Sequence, residues 1–182
     1  MPSQGRAEGA EWYVMRVYKN ERKAEEMLTS AEGLPYYLPK QQAIRTRHGR
    51  KVLCWVPVIP SMVFVYATHQ EIVNFKKKVY NDLQFIITNR GGNARYLIVP
   101  TAQMESFIRM CDQKQQTIAF YQPSDLHLDK GTKVRIHGGI FDEMEGTYLK
   151  MSGKRRKQFV VILLDIIAVS VEIQPEFVEI IE

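Results

Sequence analysis

Cationic side chains are concentrated in one short stretch of the sequence, and they are the first candidates for chemistry. Residues 45–51, RTRHGRK, carry four Lys or Arg side chains in seven positions and no acid. Such side chains bind the phosphate backbone of nucleic acids without reading its sequence; the alternative is a solvated basic turn. With smaller groups elsewhere, the candidate nucleic-acid-binding residues are Lys19, Arg45, Arg47, His48, Arg50, Lys51, Lys76, Lys77 and Lys78.

Catalytic and metal-binding patterns are absent from the sequence. The four histidines have no evident carboxylate or nucleophile constellation, and no glycine-rich phosphate-binding loop occurs. Asp142, Glu143 and Glu145 favour a solvated turn over a metal site, because no fourth ligand is nearby in the sequence. Cys54 and Cys111 lie far apart and outside any C-x-x-C pair, which favours two reduced thiols over a disulfide. We therefore expect a non-enzymatic protein with no cofactor and no metal.

The composition is that of an ordinary globular protein, with 45% hydrophobic residues and a net charge of +5. The charge is uneven: residues 12–112 hold 15 Lys or Arg and 8 Asp or Glu, whereas residues 128–182 hold 8 and 9. This asymmetry predicts an anionic partner for the first part only. No apolar run is long enough to span a bilayer, and residues 1–10 have the character of a disordered leader. We expect a cytoplasmic monomer that contacts no membrane.

Strands and helices alternate through the first part of the chain, up to residue 112. WYVMRV at 12–17 is typical of a strand, and the acidic residues that follow it suit the start of a helix. The segments 36–47 and 52–58 predict a hairpin whose tip is the basic turn HGRK. Further strands are predicted at 61–67 and 83–88, and further helices at 69–79 and from 101 onward. The pattern predicts an α+β domain, an antiparallel sheet backed by helices.

The remainder of the chain changes character. Residues 113–127 have no clear period and the composition of a linker. From residue 128 the pattern consists of short strands separated by turn signals, which predicts a small SH3-like β-barrel.

The apolar stretch VPVIPSMVFV, residues 56–65, raises a separate question. Side chains alternate in a strand, so Met62 and Phe64 share one face, and Ile59 adjoins them across Pro60. A strand buried on both faces explains this pattern, and so does a face that remains accessible for a partner. Methionine suits an adaptable apolar docking surface.

Several motifs in order resemble the NusG family of transcription elongation factors. KVRIHGGIFDEMEGTYLKM, residues 133–151, resembles the KOW motif: Gly139-Ile140-Phe141 stands in place of Gly-Pro-Phe, and Gly146 precedes the next strand. The opening W-Y-V strand, the basic hairpin and the segment VIPSMVFV resemble the N-terminal NGN domain of that family. The general factor tends to read F-F-P-G-Y-V-L-V in this segment, and Phe64 matches the specialised antiterminators of RfaH and UpxY type better.

The resemblance implies a domain organisation and a set of partners. It implies an NGN-like domain at 11–112 and a KOW domain at 128–182. The first would bind the clamp coiled coil of RNA polymerase, with non-template DNA beside the basic patch. The second would bind ribosomal protein S10 or the termination factor Rho. The resemblance assigns polymerase binding to Ile59, Met62, Phe64 and Phe85. It assigns binding of the KOW partner to Ile166 and Ile167. It assigns a structural role in the KOW domain to Gly139, Phe141 and Gly146.

The predicted function is transcription elongation or antitermination, with capsular polysaccharide operons as candidate targets. One alternative is an RNA-binding or ribosome-associated KOW protein without polymerase contact. A weaker alternative is an enzyme with a basic cleft.

Overall fold

The computed structural model divides the chain into two compact units, Met1–Thr101 and Ala102–Glu182. The residues it describes are 8–18, 21–30, 34–79, 82–89, 93–113, 118–151 and 153–181. Helices and antiparallel sheets are both present, which confirms the predicted α+β class. Within these described ranges, no helix is both long and apolar enough to cross a membrane.

The first unit is built on a five-stranded antiparallel sheet. The strands of this unit are β1 (Glu11–Val17), β2 (Tyr36–Tyr37), β3 (Lys40–Arg47), β4 (Arg50–Pro57), β5 (Met62–Ala67), β6 (Leu83–Phe85), β7 (Ile87–Thr88), β8 (Arg95–Tyr96) and β9 (Ile98–Val99). The sheet order is β2-β5-β1-β6, and β9 also pairs with β1. The central strand β1 has the sequence EWYVMRV, in which aromatic and β-branched side chains suit a strand buried on both faces.

Helices α1 (Glu21–Ser30) and α2 (His69–Val79) cover one face of this sheet. Their apolar residues recur at helical spacing, so each helix presents a single apolar stripe to the sheet. The core on this face consists of Tyr13, Met15, Val17, Ala24, Leu28, Leu34, Val63, Val65, Ala67, Ile72, Phe75, Val79 and Leu83. The sheet residues in this set alternate along β1 and β5, as the pleat of a strand requires.

Strands β3 and β4 form a separate two-stranded ribbon, the basic hairpin, in place of joining the main sheet. Its register runs without interruption from the Lys40–Pro57 pair to the Arg47–Arg50 pair. The two-residue turn has positive φ at His48 (48°) and Gly49 (75°), the geometry of a type I′ turn. A turn of this type matches the twist of the flanking strands. The predicted hairpin and its basic tip are both present in the structure.

The second unit begins with α3 (Thr101–Cys111), apart from its first residue, and continues into a six-stranded antiparallel sheet. The strands are β10 (Ala119–Tyr121), β11 (Thr132–Ile136), β12 (Glu145–Leu149), β13 (Gln158–Leu163), β14 (Ile167–Glu172) and β15 (Val178–Ile180). The sheet order is β10-β14-β13-β12-β11-β15. Short 3-10 turns connect several strands, among them Gly139–Phe141 and Pro175–Phe177.

Two features of this structure bear on the predicted domain boundaries. The predicted linker, 113–127, contains β10, which pairs with β14 and so belongs to the second sheet. Helix α3, expected within the first domain, is grouped with the second unit. Within that unit, the Arg109 Nη1 group donates a hydrogen bond to the Asp142 carbonyl at 2.8 Å. Contacts between residues so distant in sequence leave no local pattern.

Candidate nucleic-acid interface and docking surface

The register of the basic hairpin divides its side chains between two faces. Residues directly opposite each other share a face, and alternate residues along a strand do the same. Arg45, Arg47 and Arg50 therefore lie on one side, named here the arginine face. Lys51 pairs with Thr46 and lies on the other side. Four predicted cations are thus placed around one turn, with His48 at its apex.

The residues that the structure describes do not neutralise these four cations. Within the part of the chain that the structure describes, no acidic side chain forms an ion pair with Arg45, Arg47, Arg50 or Lys51. At the base of the same hairpin, by contrast, Lys40 Nζ lies 2.7 Å from a carboxylate oxygen of Glu25. The positive potential is therefore concentrated at the tip, where a phosphate backbone would be attracted.

The remaining predicted cations lie outside the hairpin. Lys76, Lys77 and Lys78 occupy the last turn of α2, where positive side chains interact favourably with the negative helix end. This interaction with the helix end explains part of that lysine cluster without any bound ligand. Lys19 lies outside the residues that the structure describes.

A second cationic cluster was missed by the sequence reasoning. Lys154, Arg155, Arg156 and Lys157 lie between β12 and β13. Arg156 pairs with Glu172 at 3.0 Å, and the Lys157 ammonium lies 5.5 Å from the centre of the Tyr148 ring. The run KRRK is the signal that could have identified it.

Tyr148 borders an open cavity of about 770 Å³ beside this second cluster. The residues lining it are Tyr148, Arg156, Lys157, Gln174, Pro175 and Glu176. Burial raises the pKa of the Tyr148 phenol, and the carboxylates of Glu176 and Glu172 raise it further. The phenol therefore remains neutral, and its hydroxyl donates a 3.4 Å hydrogen bond to the Ile173 carbonyl.

The residues assigned to polymerase binding do not form one surface. Phe85 pairs with Met15 and therefore lies on the helix-covered face of the sheet, where it stacks on Tyr96 at 4.0 Å. Met62 and Phe64 pair with Arg16 and Val14, which lie on the opposite face. This corrects the grouping of Phe85 with the other three residues, because strand alternation separates them.

Burial also distinguishes the members of the opposite face. Phe64 exposes 0% and Ile59 8% of their surface, whereas Met62 is half-buried. In this conformation a partner can contact Met62 but not Phe64. Strand β5 is therefore largely buried on both faces, whereas the family resemblance led us to expect an accessible docking face there.

In the second unit, the two glycines and the phenylalanine of the KOW-like segment lie at positions that restrict the residue type. Gly139 has φ of 72°, and Phe141 is buried at 2% exposure. A Cβ on Gly146 would lie 2.5 Å from the Val160 carbonyl oxygen, so β12 and β13 can approach only with glycine there. The positive φ of Gly139, the burial of Phe141 and the close approach at Gly146 are structural features of this segment.

The hairpin between β13 and β14 turns at Leu164 and Asp165, both with positive φ. Ile166 is half-buried, but Ile167 pairs with Leu163 and is only 3% exposed. Ile167 is thus part of the core, which corrects the expectation that both isoleucines remain accessible. Only Ile166 offers part of its surface to a partner.

The acidic turn predicted to be solvated is joined by His137. This imidazole lies 2.7 Å from Glu179 and 3.7 Å from Glu143, and Asp142 lies close by. His137, Asp142 and Glu143 are all exposed. Both cysteines are free thiols, and each is half-buried.

Comparison with known proteins assigns the chain to a family. The family model described as "Transcription termination factor nusG" matches residues 10–108, which is more than half of the 182 residues. No curated protein matches the chain. The matched range begins at the central strand β1, includes the basic hairpin and extends into α3. The chain therefore belongs to the NusG family of transcription factors.

Proposed function

We propose that this protein is a transcription elongation factor that binds RNA polymerase and nearby non-template DNA to suppress pausing or termination. The observation that carries the proposal is the family match over residues 10–108. The proposal places the protein in the cytoplasm with the polymerase, acting by binding and without catalysis. Within the family, we assign it to the specialised antiterminators of RfaH and UpxY type, with capsular polysaccharide operons as candidate targets.

The basic hairpin supports the DNA part of the proposal. Its tip carries four cations around a type I′ turn, none of them in an ion pair with a described residue, and the 40–57 segment contains no acid. Positive charge fixed at the end of a ribbon can approach a phosphate backbone without a cost for breaking internal ion pairs.

For polymerase binding we propose the sheet face that carries Met62, with the clamp coiled coil as its partner. Met62 is half-buried, and beside it Ile59 and Phe64 supply a buried apolar foundation. An interface with a thioether at its accessible edge can adapt to the shape of a partner helix. For the second unit we propose a KOW domain that recruits S10 or Rho, with Ile166 at its accessible edge.

Copurification with RNA polymerase tests this proposal. Met62→Asp should reduce recovery of polymerase at least tenfold, because the new carboxylate would lose water in an apolar interface. Gln70→Asp introduces the same charge at an exposed position of α2 and should leave recovery unchanged. Circular dichroism of both variants checks the fold. Normal recovery with folded Met62→Asp would contradict the assigned surface, and no recovery with the unaltered protein would contradict the function.

One observation favours a second candidate, an RNA-binding or ribosome-associated protein. The cluster of Lys154, Arg155, Arg156 and Lys157 provides a cationic loop beside Tyr148 in the second unit. Cosedimentation with ribosomes, in the absence of polymerase recovery, would support this candidate over the first.

A further inference from the structure

The basic hairpin has a second face on which three large apolar side chains are exposed. Ile44 pairs directly with Leu53, and Trp55 pairs with Gln42 one step nearer the base. These side chains lie opposite the arginine face, on what is named here the tryptophan face. Their exposed fractions are 68% for Ile44, 60% for Leu53 and 65% for Trp55.

Cross-strand contact explains only part of this arrangement. Paired apolar side chains stabilise a two-stranded ribbon, which is marginal by itself. Ile44 and Leu53 form such a pair across the ribbon, yet each of them remains well over half exposed to solvent. The indole of Trp55 has no ring contact within the described part of the chain. Three large apolar side chains exposed together on one face of a ribbon indicate a binding surface.

The charge around this face selects among partners. Lys51 lies on the tryptophan face itself, and the three arginines of the arginine face lie across the same ribbon. No acid occurs anywhere in residues 40–57. A second copy of the hairpin would be repelled by this charge, whereas a polyanion with flat apolar groups would be attracted. Single-stranded nucleic acid has both properties, because its bases are unpaired and its phosphates are close to them.

We infer that the tryptophan face is a stacking platform for unpaired bases, with Trp55 as the principal aromatic contact. The cations at the tip hold the phosphates of the same strand. This inference rests on the proposed function, in which the hairpin meets non-template DNA, and it adds that the hairpin prefers single strands over duplex. In a duplex the bases stack on each other and cannot reach the indole.

Tryptophan fluorescence of the full-length protein tests the platform directly. The chain has two tryptophans, and Trp12 is only 5% exposed, so Trp55 is the indole that a ligand can reach. Titration with a 15-nucleotide oligothymidine should quench this emission, and a duplex of equal length should bind more weakly and quench less. Fluorescence anisotropy of a labelled oligonucleotide measures the affinities independently of quenching.

Substitution then isolates the stacking contact. Trp55→Ala should weaken oligothymidine binding by at least about fivefold, the loss typical of one stacked base. Trp55→Phe should retain part of the affinity, because it keeps an aromatic ring. Tyr18→Ala removes another exposed aromatic side chain of the first unit, outside the hairpin, and should leave binding unchanged.

The outcomes separate this inference from the proposed function. Unchanged affinity of Trp55→Ala, or equal affinity for duplex and single strand, would overturn the platform while leaving polymerase recovery intact. Loss of polymerase recovery by Trp55→Ala, with oligonucleotide binding unchanged, would mean that this face binds protein and would also overturn it. Conversely, stacking without any polymerase recovery would uphold the platform and refute the elongation factor.

Discussion

At the scale of single residues, Ser61 is held in a conformation that serine does not favour. Its φ is 58°, and its backbone is held on both sides: the N–H donates to Glu21 at 3.1 Å and the carbonyl accepts from Val17 at 2.9 Å. The general NusG-type motif carries glycine at this position of VIPSMVFV, and only glycine adopts positive φ without steric cost. Serine at this position therefore carries a cost in stability.

We predict that Ser61→Gly stabilises the first unit by about 0.5 kcal/mol, because relief of the left-handed strain exceeds the added entropy of the unfolded chain. Urea unfolding followed by tryptophan fluorescence measures this change, since Trp12 and Trp55 both lie in that unit. Ser61→Ala keeps the Cβ and should give no gain. An equal gain in both variants would attribute the effect to the hydroxyl and contradict the argument from φ.

At the scale of elements, α2 begins with a reciprocal capping box. The Thr68 hydroxyl accepts a 3.3 Å hydrogen bond from the Glu71 N–H, and the Glu71 carboxylate accepts one of 2.8 Å from the Thr68 N–H. The hydrogen bond from the Thr68 backbone, followed by that from its hydroxyl, holds the pKa of Glu71 below its ordinary value. The T-x-x-E spacing in residues 68–71 is the sequence signal for this cap.

The depressed pKa sets the direction of a pH effect. The stabilisation by ionised Glu71 is present above its unfolded-state pKa and is lost as pH falls through the lower folded-state pKa. The stability difference between the unaltered protein and Glu71→Gln should therefore shrink on acidification, from a value of about 1 kcal/mol or less at this exposed site. Urea unfolding at a series of pH values measures it. In a Thr68→Ala background the difference should become smaller without vanishing, because the hydroxyl is lost while the backbone N–H of residue 68 still donates to Glu71. An unchanged difference would contradict the part that the Thr68 hydroxyl plays in the capping box.

At the scale of the whole molecule, cationic groups occur in both units. The hairpin tip belongs to the first unit and the Lys154–Lys157 loop to the second. If the tip holds DNA, neutralising it should change the salt dependence of binding, whereas an equal loss of charge elsewhere should not.

We predict that replacing Arg45, Arg47 and Lys51 together by alanine flattens the log–log salt dependence of single-stranded DNA binding by about 2, since each phosphate contact contributes about 0.7. Anisotropy titrations of full-length protein over a series of salt concentrations give the slope. The matched control replaces Lys130, Lys133 and Lys150, which are exposed and lie outside both clusters, by alanine. Equal flattening in both triple variants would mean that total charge matters and the hairpin is an ordinary solvated tip.

Local patterns in the sequence were sufficient to predict several helices and strands and the cationic tip of the hairpin. The alternation in WYVMRV, the helical spacing in 69–79 and the turn residues of HGRK each act within a few positions, so they predicted β1, α2 and the basic hairpin. The α+β class follows from those elements. The cationic tip was also predictable, because a turn with no nearby acid leaves its arginines in solvent.

Only the tertiary structure decided which side chains share a surface. Phe85 is separated from Met62 by the register between β1 and β6, and Ile167 is buried by its place in the second sheet. The strand at 119–121 exists because β14 pairs with it from almost fifty residues away. Trp55 is exposed because β3 and β4 leave the main sheet and form a ribbon of their own. Strand pairing joins residues that are distant in the sequence, so the exposed or buried state of an apolar residue depends on partners that no local pattern contains.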